Sequence, residues 1–123
     1  MLSYGVSNDT ELLEKLYQKI FGKKPDFSVG YVFYEDGVPL GIADLKVTPE
    51  VSEIKEVGLI SEIRKRGLGD FFTRCIMLRL SEVSKKIITY KDSYFYQFGF
   101  VDEGEKMAIL SEKIDFPSNC KHK

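Results

Sequence analysis

The chain has no tryptophan, one histidine, two cysteines and four prolines among its 123 residues, and these scarcities close several classes of explanation. Cys75 falls within a helix-like stretch and Cys120 in a polar tail, which resembles neither a disulfide framework nor a paired metal-ligand motif, so a reduced compartment is expected. His122 beside that single tail thiol cannot complete a zinc site, and no metal is expected. Charge of one sign is also missing: 18 Lys and Arg stand against 19 Asp and Glu, leaving no global field to draw nucleic acid or an anionic membrane. There is no uninterrupted apolar run of membrane-spanning length, and Met1-Leu2-Ser3-Tyr4-Gly5 lacks the basic start and apolar stretch of a secretory signal. The expectation is a cytoplasmic protein without nucleic-acid or membrane partners.

What is present suits one packed domain over residues 1–123, with 115–123 as a polar tail. Hydrophobic residues make up 43% and charged residues 30%, a globular balance. An opening strand near Leu2 to Val6 leads to Asn8, expected to cap a helix with Glu11 in its first turn. Leu12, Leu13, Leu16, Tyr17, Ile20 and Phe21 then recur at helical spacing until Gly22 and Pro25 stop the helix. Val29 to Tyr34 and Val38 to Val47 read as strands joined by the turn Asp36-Gly37, and Val51 to Ile60 as a third, forming an antiparallel meander. Gly67 to Val83 carries a helical stripe of Leu68, Phe72, Ile76, Leu80 and Val83, widened by Phe71, Cys75 and Leu78. Ile87 to Tyr90 is a short strand, Ser93 to Phe98 two helical turns, and the chain from Phe100 returns as strand, mainly at Met107 to Leu110. This order describes an α+β fold with α/β character, with helices packed on a mixed sheet and a parallel crossover around the long helix.

The chemistry concentrates where the third strand runs through Gly58, Leu59, Ile60 and Ser61 into Arg64-Lys65-Arg66-Gly67-Leu68-Gly69, at the start of the long helix. Glycines admit a ligand close to the backbone, amides at a helix N-terminus point outward, and the helix dipole adds positive potential. Three cations strengthen the field, and arginine can fork to phosphate. The glycine arrangement fits neither a dinucleotide-binding fingerprint nor a P-loop.

The run Arg64 to Gly69 matches the Arg/Gln-x-x-Gly-x-Gly/Ala signature of the GNAT superfamily of N-acyltransferases. Tyr94-Phe95-Tyr96-Gln97-Phe98-Gly99-Phe100 is similar to that family's late aromatic helix ending in Gly-Phe, so the resemblance covers nearly the whole chain. It implies a sheet whose parallel pair splits beside the motif, with helices on both faces and the pantetheine of acetyl-CoA in the gap. By position, amides from Arg66 through Gly67, Leu68 and Gly69 to Asp70 would bind pyrophosphate, with Arg64 and Lys65 beside them. Leu59, Ile60 and Ser61 would line the pantetheine. Gly58 reads as a bulge that splays the strand or as a site of close packing.

Attack of an amine on a thioester needs a neutral amine, and hence a proton acceptor. Glu53 stands where some protein-acetylating members of the family carry a base, whereas Glu56 lies nearer the split. Their odd spacing should turn them to opposite sides of the sheet. The family's proton-donating tyrosine position is occupied by Phe95, which has no proton to give, leaving Tyr94 and Tyr96 as flanking candidates. With Cys75 expected to be buried and inert, the resemblance implies direct acetyl transfer from acetyl-CoA to a primary amine in a ternary complex. The alternative is an acyl-CoA-binding or regulatory module with little catalysis. A homodimer is compatible with such a fold, although no sequence feature specifies one.

Overall fold

The computed structural model describes residues 1–61 and 67–114. In chain order these form β1 (Leu2–Ser7), α1 (Thr10–Phe21), β2 (Gly30–Glu35), β3 (Val38–Lys46), β4 (Val51–Leu59), α2 (Leu68–Val83), β5 (Lys86–Tyr90), a 3-10 helix (Ser93–Phe98), β6 (Val101–Glu103), β7 (Lys106–Leu110) and a 3-10 turn (Ser111–Lys113). The sheet has seven strands in the order β1-β2-β3-β4-β5-β7-β6. Among the described residues, no helix is long and apolar enough to cross a membrane. By its contacts the chain divides into two compact units, residues 1–44 with 56–72, and 45–55 with 73–123.

In the first unit, β1 pairs antiparallel with β2, and β2 with β3. Asp36 and Gly37 turn the β2–β3 hairpin with φ of 52° and 82°, the left-handed pair that matches strand twist. The register shifts between Phe33 and Tyr34, where Pro39 pairs with Tyr34; a residue without an N–H is tolerated at such an irregularity. The helix cap differs from expectation by one residue. Ser7 Oγ accepts from Asp9 N, and Asp9 Oδ1 accepts from Leu12 N, so Asp9 rather than Asn8 caps α1. Gly22, at φ 73°, closes the helix by donating its N–H to Gln18 O, the usual left-handed stop.

Leu13, Leu16 and Tyr17 of α1 are buried, as are Val32, Phe33, Leu40 and Ile42 of the sheet. Phe33 stacks on Phe72 with ring centroids 4.8 Å apart. Two strand glycines permit this packing. A Cβ on Gly41 would collide with the Leu59 side chain and stand 3.0 Å from the Gly58 carbonyl, while one on Gly58 would lie 2.7 Å from Ile20 and 2.9 Å from Phe21. Close packing against α1 therefore accounts for Gly58.

In the second unit, β4 pairs parallel with β5 from Val51–Lys86 to Ile54–Thr89, as the crossover through α2 requires. The segment after Phe100 is a hairpin rather than one strand. Gly104, at φ 63°, turns it, β7 lies against β5, and β6 takes the outside. Buried hydroxyls tie the far end of α2 to the β3–β4 turn: Ser52 Oγ lies 2.6 Å from Ser84 Oγ, which in turn donates to Thr48 O. The buried face of α2 is broader than one stripe, since Thr73 and Met77 join Cys75, Ile76 and Leu80 in the interior. Val83, in the last turn, is 54% exposed instead, and the buried Ser84 that follows it takes the inward position.

Gly58→Ala is expected to lower unfolding free energy by about 1–3 kcal/mol, the usual range for overpacking a filled core. The loss should shrink in an Ile20→Ala background, where the nearer of the two colliding side chains is cut back. An undiminished loss in chemical denaturation would reject the contact.

Candidate functional site

The parallel ladder is short. It ends at Ile54–Thr89, and there the buried Thr89 hydroxyl donates to Ile54 O at 2.8 Å. β4 runs on through Lys55–Leu59, while β5 stops at Tyr90. Leu59 and Ile60 are buried and Ser61 is exposed; Ile60 N donates to Leu40 O at 2.9 Å. The Leu59 side chain lies over Gly41, where Phe72 also approaches.

Gly67 is left-handed at φ 75°, and among the described residues a Cβ placed on it would meet nothing within 4 Å. Leu68, Gly69 and Asp70 follow as the first turn of α2, all half-buried. Gly67 thus stands at a helix end whose first N–H groups lack intrahelical acceptors and carry positive potential. Arg64, Lys65 and Arg66 lie outside the described residues, as do Cys120 and His122. Cys75 is fully buried, in keeping with an inert thiol.

The two glutamates have different partners. Glu56 Oε2 lies 3.5 Å from Lys23 Nζ, just past the end of α1, with side-chain exposures of 30% for the glutamate and 62% for the lysine. Burial raises the Glu56 pKa above its ordinary value, since desolvation disfavours the carboxylate. Glu53 Oε2 accepts from Lys106 Nζ of β7. Neither lysine stood out in the sequence, because partners this far apart in the chain are joined only by sheet register and helix placement.

The late aromatic segment is a 3-10 helix capped by Asp92, whose side chain accepts from Tyr94 N. With three residues per turn, positions i and i+3 align, and Phe95 and Phe98 both point into the core. Phe95 packs edge-on against Tyr90, Tyr94 and Phe100 at 5.1, 5.3 and 5.5 Å between centroids. The phenol of Tyr94 is 3.1 Å from Thr73 Oγ1 on α2. Tyr96 is exposed, and its hydroxyl donates to Asp102 Oδ1 at 2.7 Å. That hydrogen bond, followed by desolvation and the Asp102 charge, raises the Tyr96 pKa. Among the described residues, no cluster of three or more His, Cys, Asp or Glu could hold a metal ion.

Together, the mixed sheet, its short parallel pair and the glycine turn at the head of α2 define the fold of the GNAT acetyltransferases. The ribosomal-protein alanine N-acetyltransferase of Escherichia coli superposes with a TM-score of 0.72 at 12% identity, over 94% of this chain and 100% of its own. Tetrahymena GCN5 gives 0.71 at 15% identity, over 93% and 99%. A GNAT family acetyltransferase from Brucella melitensis, solved in complex with acetyl-CoA, gives 0.67 at 14% identity, over 94% and 92%. No family model matches the sequence, and no curated protein does; at these identities the likeness is one of fold.

Replacing Asp102 with Asn should bring the Tyr96 phenol back toward the ordinary tyrosine range, because the carboxylate that holds its proton is gone. A Tyr96 titration curve unchanged by that substitution would remove Asp102 as the cause.

Proposed function

We propose that the chain is an acyl-CoA-dependent N-acetyltransferase acting on a primary amine by direct transfer in a ternary complex. The observation that carries this reading is the turn at Gly67: left-handed and placed at the head of the long helix after a strand that outruns its parallel ladder. A helix start behind a glycine suits a pyrophosphate held by backbone amides, and the solved neighbours include proteins with acetyl-CoA or CoA bound.

In this reading, amides from Arg66 to Asp70 hold the pyrophosphate, Arg64, Lys65 and Arg66 add charge, and Leu59, Ile60 and Ser61 line the pantetheine arm. When bound, the coenzyme supplies an acyl thioester. Glu56 accepts a proton from the acceptor ammonium, and the raised pKa makes it a stronger base than a fully solvated glutamate. Glu53 is the second candidate, with its carboxylate engaged by Lys106. Of the two tyrosines, Tyr94 is the better proton donor to sulfur: the Tyr96 hydroxyl is committed to Asp102 and holds its proton more tightly. Phe95 favours a second reading, an acyl-CoA-binding module, because the family's usual donor position is a fully buried phenylalanine here. Stoichiometric CoA binding with no free thiol released across a broad amine panel would decide for that module.

Gly67→Asp should abolish thermal stabilisation by CoA while the fold persists, and Gly67→Asn should retain part of it. Both residues tolerate the left-handed backbone, so charge separates them; equal behaviour of the two would count against a pyrophosphate at this turn. Glu56→Gln should lower kcat/KM by about 10²–10⁴-fold, the usual contribution of a general base. Activity that needs the carboxylate falls as pH drops through the raised Glu56 pKa, and the variant should lose this acid limb. If Glu53→Gln removes the limb instead, the roles are exchanged.

A further inference from the structure

We propose that Lys23 is an intramolecular acyl acceptor, acetylated when no external amine is supplied; this rests on the reading of Glu56 as the base. Its ammonium lies 3.5 Å from Glu56 Oε2, while the side chain is exposed enough to leave that carboxylate and return. Two features hold it there. The residue directly follows the left-handed Gly22 that ends α1, and its Nζ lies 6.0 Å from the ring centroid of the buried Tyr17. Gly58, in turn, lets Ile20 and Phe21 seat the end of α1 against β4. An acceptor ammonium arriving from solution needs a carboxylate that attracts it and takes its proton, and Lys23 meets that requirement within its own chain.

The step balances without any reagent beyond acetyl-CoA. One proton passes from the Lys23 ammonium to Glu56 Oε2. The nitrogen lone pair then forms a bond to the thioester carbonyl carbon, the carbon–sulfur bond breaks, and its electron pair leaves on sulfur. The second nitrogen proton is lost as the amide forms and neutralises the thiolate. The product is uncharged, which ends the ion pair with Glu56. Other surface lysines are placed differently: Lys15, for example, pairs with Glu11 along the exposed side of α1.

The test incubates the full chain with isotope-labelled acetyl-CoA and no added amine, followed by peptide mass spectrometry. Label should concentrate on Lys23 over Lys15 and Lys24, at a first-order rate unchanged by dilution, and Glu56→Gln should slow it by about 10²–10⁴-fold. Label spread evenly over exposed lysines, label surviving Glu56→Gln undiminished, or label gathered on Lys106 would each overturn the proposal. A second readout needs no coenzyme: in Lys23→Ala the NMR titration midpoint of the Glu56 carboxyl should move upward as the neighbouring cation is lost, and an unmoved midpoint overturns the contact. Thermal stabilisation by CoA, measured on the same sample, separates the two levels. If it is present while Lys23 stays unlabelled, the inference falls and the acetyltransferase reading stands; if it is absent, that reading fails and takes the inference with it.

Discussion

Two missing side chains set the geometry of the candidate site. Without a Cβ on Gly41, the Leu59 side chain can settle onto β3 and Phe72 can approach the sheet. Without one on Gly58, the last turn of α1 can lie against β4 through Ile20 and Phe21. Phe72 lies within the second turn of α2, so its stacking on Phe33 fixes where that helix begins and hence where the Gly67 turn lies. The end of α1, pressed onto Gly58, brings Lys23 within ion-pair distance of Glu56. Glycine in a strand weakens it in isolation. Here that cost is offset by close contact between elements far apart in sequence, and the tolerance for added volume at either position is correspondingly small.

Much of this framework was legible from the residues. Both helices followed from apolar spacing, the β2–β3 turn from Asp36-Gly37, and the parallel crossover from the length and character of the segment between β4 and β5. The missed features have separate physical causes. Asn8 and Asp9 are both good caps, and the choice fell to Asp9 because Ser7 was placed to take the preceding amide. The β6–β7 hairpin was read as one strand because β6 has only three residues, all exposed, and shows no alternation to detect. Gly58 had two readings of equal standing until the position of α1 was known.

The candidate site was less legible than the fold, since its character depends on partners chosen by tertiary structure. Local sequence separates the two only weakly: Glu53 lies between Ser52 and Ile54, Glu56 between Lys55 and Val57. Burial raises the pKa of Glu56, whereas Glu53 is drawn across the sheet to Lys106, 53 positions away in the chain. Their odd spacing implies opposite faces of the strand, but desolvation is a property of the packed molecule. The motif itself, by contrast, was visible as a pattern because the role proposed for it needs only backbone amides and glycine, which depend little on distant residues.

The phase of the short aromatic helix bears most directly on whether chemistry follows binding. As an α-helix of uncertain register, this segment could have brought either tyrosine into the place of the missing donor by a one-residue rotation. A 3-10 helix with buried phenylalanines three residues apart forbids that: turning Phe95 outward would turn Phe98 outward too, exposing both rings. Tyr96 is therefore held on the solvent side with Asp102, and Tyr94 is left at the border of the core, its phenol against Thr73. A phenol bound to a carboxylate, as in Tyr96, has committed its proton. If this chain protonates a leaving thiolate from protein rather than from water, Tyr96 is therefore the poorer placed of the two tyrosines.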